Sequence, residues 1–316
     1  MKKNIMLSVV IISYNQERYI REAIESVINQ KTNYEYEILL ADDCSPDNTG
    51  KIMKEYAERY PELIRLLERP QNLGGAKNYL DACLKAKGKY ITILEGDDYW
   101  CDENKIQSQV EFLEENPEYY ATSHLQEGRN LDNEVKGYFP KNIRKNTTIF
   151  GVDDFIQNDK LFSSSATLFR NFFQDEEKLE KYKILNKLDD LIGDAQMNIF
   201  LCSLGKIYVE AKPMMVYRMR NNDGNSNFNS SHSINEIQYR YMNIYIKIEK
   251  IYDGKYSLYK KIKYCYTLGV AYDLCKFKFD DIKKFNLICP NKYKWKIILL
   301  FPFTSISILS IRFIKR

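Results

Sequence analysis

Three carboxylates stand within four residues at Glu95-Gly96-Asp97-Asp98, directly after the apolar run Tyr90-Ile91-Thr92-Ile93-Leu94. Like charges this close repel one another unless a cation lies among them, and a hard divalent ion with oxygen ligands is the natural candidate. Such an ion also holds a diphosphate. A nucleoside diphosphate leaves readily only when the charge growing on it is neutralised. A second acidic pair, Asp42-Asp43, follows the apolar stretch at 37–41. Turns rich in Asp and Ser are common for structural reasons, so that pair alone reads equally well as a capped turn. Three acids in four residues, by contrast, gain nothing from an empty turn. A further acid, Asp194, opens a helical stretch after Gly193, with Asp189 and Asp190 close by as competitors for any catalytic role.

These acids need elements to position them, and the first hundred residues supply an alternating pattern. Strands are predicted at 7–12, 37–41, 64–67 and 90–94. Between them, Tyr19, Ile20, Ala23, Ile24, Val27 and Ile28 recur at helical spacing. A second helix covers 51–59, with an Asn or Thr as its cap, and a third runs from Gly75 to about 86, before the helix-ending Gly88. Strands alternating with helices imply a parallel sheet, and ligands of such sheets bind outside the carboxyl ends of the strands. Asp43 and the pair Asp97 and Asp98 therefore fall on one edge. Beyond Asp98 the pattern becomes α+β. It gives a helix at 105–115, a strand at 119–123, a weakly patterned polar loop at 128–148 and a strand at 162–169. A helix then follows Gly193-Asp194, and strands follow at 206–209 and 214–218. After about residue 235 the chain is Tyr- and Lys-rich and predicted helical.

Four motifs stand in a telling order: Ser8-Val9-Val10-Ile11-Ile12-Ser13-Tyr14-Asn15, Glu37-Ile38-Leu39-Leu40-Ala41-Asp42-Asp43-Cys44-Ser45-Pro46-Asp47, Asn72-Leu73-Gly74-Gly75 and Leu94-Glu95-Gly96-Asp97-Asp98-Tyr99-Trp100. In order and spacing the chain resembles family 2 inverting glycosyltransferases with the GT-A fold. The resemblance is strongest over 5–115 and extends to about 226. It implies an α/β, Rossmann-like, mostly parallel central sheet flanked by helices, with a helical C-terminal extension. It divides the chain into a GT-A domain at 1–235, with a nucleotide-sugar half at 1–115 and an acceptor half at 116–235, and a basic extension at 236–316. It implies a UDP-sugar donor, with Asp43 pairing with uracil, Ile12 and Ser13 lining the base, Asp97 contacting ribose and diphosphate, and Asp98 ligating Mn2+ or Mg2+. Glu95 stands where many members carry Asp and supports the site. Lys77 stands where Arg often meets the donor, a point charge without the bidentate fork. Arg220 replaces a His that approaches the diphosphate in the strand ending Met215-Val216-Tyr217-Arg218. Asp194 matches the general base that takes the acceptor hydroxyl proton.

Composition narrows the surroundings. The seven cysteines are scattered without a Cys-x-x-Cys pair, which favours a reducing, cytoplasmic compartment over a disulfide framework or zinc site. The net charge of +4 hides an asymmetry: residues 254–316 carry 14 Lys and Arg against 3 acids, leaving 33 against 40 elsewhere. An acidic body argues against nucleic acid as partner. The tail places Lys292, Lys294, Trp295 and Lys296 before the uncharged run 297–311, and Arg312, Lys315 and Arg316 after it. That run is shorter than the ~20 residues a spanning helix needs, but suits an anchor on an anionic membrane surface. A terminal core helix with a charged rim is the alternative. The acceptor implied is a glycan or polyprenyl-linked oligosaccharide at the inner face of the cell membrane. Competing readings are a catalytically inactive GT-A carbohydrate-binding or scaffold protein, and a sugar-nucleotide pyrophosphorylase. The latter needs a Gly-rich loop where Ser13-Tyr14-Asn15-Gln16 stands.

Overall fold

The computed structural model describes residues 4–140, 148–157, 162–189, 193–219, 233–275 and 279–294. Strands β1 (Leu7–Ser13), β2 (Tyr36–Asp42), β3 (Ile64–Leu66) and β4 (Tyr90–Glu95) lie parallel in the spatial order β3-β2-β1-β4. Their residues are almost continuously buried, as both faces of such a sheet are covered. Helices α1 (Ile20–Ile28), α2 (Thr49–Arg59) and α3 (Gly75–Leu84) connect them. Helix α1 shows why: Ile20, Ala23, Ile24 and Val27 form one apolar stripe, and all four are buried.

Beyond β4 the sheet becomes mixed. In chain order follow β5 (Tyr99–Trp100), α4 (Lys105–Glu115), β6 (Tyr119–Arg129), β7 (Val135–Phe139), β8 (Thr148–Phe150) and α5 (Val152–Gln157). Then come β9 (Leu168–Arg170), α6 (Glu176–Asn186), α7 (Asp194–Leu204) and β10 (Lys206–Arg218). The sheet continues β4-β9-β6-β10-β5. Strand β9 is antiparallel to both neighbours, β10 is parallel to β6, and β5 is antiparallel to β10. The result is the mixed, mostly parallel α/β sheet flanked by helices that the sequence predicts.

Several local expectations are corrected. The two strands predicted at 206–209 and 214–218 are one strand, irregular around Pro213, which cannot donate to a ladder. The polar stretch from Gly128 to Phe139 is a hairpin arm rather than a loop, because β6 keeps pairing with β10 as far as Arg129 while β7 folds back on it. The strand predicted at 162–169 is a 3-10 turn at Ser164–Ala166 followed by β9. Helix α6 went unread in the sequence; Asp175 caps it by accepting from the Lys178 N–H at 3.0 Å. At the start of α2 the N-cap residue is Asn48, whose side chain makes no capping bond; Asp47 beside it accepts from the Thr49 N–H at 3.0 Å.

Gly88 does not end α3, which stops at Leu84. Its role is close approach. A Cβ there would lie 2.5 Å from the Ser8 N and 2.7 Å from the Leu7 carbonyl carbon, both backbone atoms of β1. The Gly88 N–H donates to Ser8 Oγ, which itself donates to the buried Glu37 carboxylate at 2.7 Å.

By contacts the chain divides into two units, residues 1–155 with 160–225, and residues 156–159 with 226–316. The second unit holds α8 (Ile234–Ile251), α9 (Tyr259–Cys275) and α10 (Phe279–Ile288). Gly269 on α9 admits the Phe285 ring of α10 so closely that a Cβ would meet it at 2.1 Å. Buried Glu249 on α8 accepts from the Leu258 N–H at 3.1 Å and the Tyr293 hydroxyl at 2.5 Å, and pairs with the Lys292 ammonium at 3.0 Å. No helix among the described residues is long and apolar enough to cross a membrane. Gly88→Ala is expected to cost about 1–3 kcal/mol, the range for overpacking, read as a lower urea midpoint with unchanged slope.

Candidate active site

Register brings the acids together. Ser13 of β1 pairs with Asp42 of β2, and Ile12 pairs with both Ala41 and Glu95, so three parallel strands end level. The pairing runs one residue further on each side: the Asp43 N–H donates to the Ser13 carbonyl and the Gly96 N–H to the Ile12 carbonyl, both at 2.9 Å. The chain then turns sharply, with Asn15 at φ 58° and Cys44 at φ 59°. Side chains stitch the two turns together. The Asn15 N–H donates to Ser45 Oγ, the Gln16 N–H to Thr49 Oγ1 and the Glu17 N–H to Asp47 Oδ2. These fixed loops make a rigid floor at the carboxyl edge.

The two residues of the Asp42-Asp43 pair do different work. Asp42 is the turn residue, accepting from the Ser45 N–H and hydroxyl, and burial pushes its pKa up. Asp43, nearly buried, faces the Asn72-Leu73-Gly74 loop. Its Oδ1 accepts from the Leu73 N–H at 2.7 Å and its Oδ2 from the Gly74 N–H at 2.9 Å, while the Asn72 amide donates to its carbonyl. Two motifs 29 residues apart thus form one cradle. Gly74 reaches it at φ 83°, a conformation that favours glycine. Helix α3 is pinned behind the loop by buried Asn78, which donates to the Ala41 carbonyl and accepts from Arg69. Lys77 lies exposed on the first turn of α3. Ile12 is half-buried, and Ser13 is buried with its hydroxyl donating to Gln16 Oε1 at 2.8 Å.

The acidic turn is packed against that floor. A Cβ on Gly96 would stand 2.5 Å from Gln16 Oε1 and 2.8 Å from Ser13 Oγ, so a larger residue would have to push these side chains aside. Glu95 is exposed, Asp97 nearly buried and Asp98 fully buried. Asp98 Oδ1 accepts from the Arg218 N–H at 3.0 Å, while its Oδ2 is buried without a hydrogen-bond partner. Burial first, then the charges of Asp97 and Asp98's other neighbour Glu95, push its pKa well above the ordinary carboxylate range, against the opposing pull of Arg218. Strand β5 follows at once and pairs with β10, Tyr99 opposite Val216 and Trp100 opposite Met215. Trp100 is therefore core, and Tyr99 lies half-buried 4.6 Å beneath the Arg218 guanidinium.

Arg218 is the functional residue that sequence reasoning passed over. Its guanidinium donates to the Asp97 carbonyl and pairs with Glu22 at the start of α1. The only advance signal was its place at the end of the last strand motif.

Lys105 on α4 lies behind Trp100, wholly buried. Its ammonium sits 4.3 Å from the Trp100 ring centroid and donates to Gln109 Oε1 at 2.6 Å. Burial pulls its pKa down to about 7, with Asp102 opposing. Buried His124 is held neutral by burial and by Lys105.

Asp194 is the first residue of α7 with Gly193 ahead of it. Asp189 is half-buried. Asp190, Arg220 and His232 lie outside the described residues, as does the tail from 295 onward. Two buried amides follow Asp194 on α7: Asn198 donates to the Phe162 carbonyl, and Gln196 has no hydrogen-bond partner for either polar atom.

Whether the residues present fit a metal is decided by the orphaned Asp98 oxygen and the crowding of like charge around it. A cation would satisfy both. Among the described residues no three His, Cys, Asp or Glu side chains form a ready-made cage. That suits Mg2+ or Mn2+, which take one or two protein carboxylates and complete their shell with phosphate oxygens and water.

The profile of "Glycosyl transferase family 2" matches residues 8–175, more than half of the chain. The protein belongs to this family. Among its relatives, the uncharacterized Mycobacterium bovis protein Mb1547 is 45% identical over 118 residues, 37% of this chain and 34% of that protein. The Bacillus subtilis minor teichoic acid biosynthesis protein GgaB is 40% identical over 114 residues, 35% of this chain and 12% of that one. The chain thus matches about a third or less of the length of these relatives. In fold it is similar to Staphylococcus aureus TarS 1-349, solved with UDP-GlcNAc, at TM-score 0.59 and 18% identity over 91% of this chain and 77% of that one. It is also similar to the mannosyltransferase PcManGT of Pyrobaculum calidifontis, solved with GDP-Man and Mn2+, at TM-score 0.56 and 17% identity over 97% and 81%. These likenesses show the GT-A-like fold.

Lys105 generates a pH signature. Above about pH 7 the folded protein holds a neutral amine, while the unfolded chain keeps its proton to about 10.5. Unfolding then takes up a proton, so stability rises with pH across that window, by at most about 1.4 kcal/mol per pH unit. Lys105→Met is expected to flatten the rise in urea midpoint between pH 7 and 9.5 relative to the unsubstituted protein.

Proposed function

We propose that the protein transfers a single sugar from a UDP-sugar, with inversion, to a glycan or polyprenyl-linked acceptor during assembly of a bacterial surface polysaccharide. The observation that carries this reading is the level ending of β2, β1 and β4, where Asp43 and the Glu95–Asp98 turn share one edge. A nucleotide laid along that edge spans from a cradled carboxylate to a crowded acidic turn. GgaB, by its name a teichoic acid protein, supports a cell-surface polymer as destination. TarS bound to UDP-GlcNAc supports a uridine donor. PcManGT bound to GDP-Man is a reminder that the fold alone does not choose the base, so the uridine assignment leans on Asp43.

In this reading Asp43 pairs with the uracil ring and Ile12 and Ser13 line it. Asp97 meets ribose and diphosphate. Asp98, supported by Glu95, holds Mn2+ or Mg2+ through its orphaned oxygen. A bound divalent ion supplies neutralisation of the charge developing on the departing diphosphate. Lys77 and Arg220 add cations toward the same group. Asp194, on the first turn of α7, takes the proton from the acceptor hydroxyl as its oxygen attacks the anomeric carbon from the face opposite the diphosphate. The tail beyond residue 294 rests on the anionic inner face of the cell membrane, where a lipid-linked acceptor would be presented.

Three experiments test this. Release of UDP from a panel of UDP-sugars in Mn2+ is expected to fall about 100-fold or more in Asp98→Asn, the order lost when a group stabilising the transition state is removed. In Asp194→Asn, transfer is expected to be lost while nucleotide binding persists. Release from GDP-sugars alone would overturn the uridine reading, and undiminished release by Asp98→Asn would overturn the metal assignment. For the tail, a chain ending at Lys294 keeps the Lys292 and Tyr293 contacts to Glu249. It is expected to stop sedimenting with phosphatidylglycerol vesicles while still releasing UDP. Unchanged sedimentation would refute the anchor.

A further inference from the structure

We propose that Arg218 is a positioning residue that sets the acidic turn for the diphosphate and its metal. The inference rests on the reading of that turn given above. Five contacts carry it, and they reach three separate elements. The Arg218 N–H donates to Asp98 Oδ1 at 3.0 Å. Its guanidinium donates to the Asp97 carbonyl and, from the other terminal nitrogen, pairs with Glu22 on α1. The same planar group lies 4.6 Å from the Tyr99 ring centroid and 5.1 Å from that of Tyr19. One side chain therefore ties β10 to the acidic turn, to the strand that follows it and to the helix packed beside it.

The geometry needs a guanidinium. Reaching a carbonyl and a carboxylate at once, while stacked between two rings, takes a flat fork with donors on both prongs. A lysine ammonium could hold Glu22 or the Asp97 carbonyl, but it is a point donor and lacks the stacking plane. The Arg218 side chain is only 13% exposed, whereas that of Glu22 is 55% exposed. The pair is thus anchored on the Arg218 side, and its inner end is what the turn feels. The backbone contact to Asp98 survives any substitution other than proline. A change of side chain consequently removes the hold on Asp97, on Glu22 and on the two rings, leaving Asp98 Oδ1 bonded. With that hold released, the peptide joining Asp97 to Asp98 keeps its Asp98 N–H bond to the Glu95 carbonyl at 2.9 Å but loses the clamp that Arg218 sets on its oxygen. The orphaned Asp98 oxygen and the neighbouring carboxylates then spend less time in the arrangement that receives a cation.

The expected signature is a selective loss of metal-dependent nucleotide binding. Titration calorimetry of UDP, with and without Mn2+, is compared for the full chain, Arg218→Lys, Arg218→Gln and Glu22→Gln. In both Arg218 variants the Mn2+ concentration for half-maximal tightening of UDP binding is expected to rise about tenfold or more. The metal-free UDP affinity, which belongs to the Asp43 cradle, stays within twofold, and the melting temperature stays near that of the unsubstituted protein. Glu22→Gln, which removes only the outer partner, is expected to move the same quantity about threefold. A Mn2+ requirement within twofold of the unsubstituted protein in both Arg218 variants would overturn the proposal. So would a loss of metal-free UDP affinity in step with melting temperature, the mark of a merely structural role. If the unsubstituted protein binds UDP equally well with and without Mn2+, the reading of the acidic turn fails, and this inference falls with it.

Discussion

Confining three carboxylates at the end of one buried strand is the constraint on which the rest of this structure depends. Two like charges about 4 Å apart in a medium of effective dielectric about 20 repel by roughly 4 kcal/mol, against a total folding stability of only about 5–15 kcal/mol for a typical domain. The turn therefore needs compensation from every side. Glycine at position 96 lets it lie flat on Ser13 and Gln16, the Ile12 carbonyl takes its first N–H, and the Arg218 N–H takes one Asp98 oxygen. What remains is an unbonded oxygen in a negative corner.

The donor edge gains its rigidity from the loops around it. Each of the first two strands ends in a turn whose backbone N–H groups are taken by side chains of the other turn. Asp43 is fixed in a different way, by two N–H groups of a segment that arrives through the third strand. The Asp43 end and the Glu95–Asp98 end of the edge are thus held by separate sets of bonds, and a disturbance at one need not reach the other.

Much of this was legible in the residues. Near-continuous apolar runs ending in acids announced parallel strands and the carboxyl edge of the sheet, because a sheet covered on both faces buries both sides of each strand. Helix 105–115 was read to the residue, since Lys105 to Glu115 is a periodic stretch bounded by Asn104 and Asn116-Pro117. The errors lie where partners outside the local window decide. Gly128 to Phe139 shows little alternation of its own and is a hairpin only because β10 offers a ladder to extend. Pro213 reads as a break but is absorbed as an irregularity within β10. Asn48 stands at the N-cap of α2 but its side chain makes no capping bond, and Asp47 beside it takes the Thr49 N–H. The same holds in the site. Asp43 and Asn72 were both singled out, but no spacing rule says that one wraps the other, and Arg218 gains its meaning only from the turn it meets across the sheet.

Strand β10 has a consequence for how a protein of this kind can vary. It begins one residue after the helix headed by Asp194 and ends on the arginine that grips the acidic turn. Thirteen residues thus span the distance from the helix headed by Asp194 to the acidic turn. Inserting or deleting one of them would invert every side chain beyond it, unless another irregularity like the one at Pro213 swallowed the change. Length is frozen there, whereas the hairpin tip between β6 and β7, exposed and remote from the ladder's core, can lengthen or shrink at little cost. Diversification toward new acceptors would therefore be written in that arm and its neighbouring loops, while the segment joining the two chemistries keeps its measure.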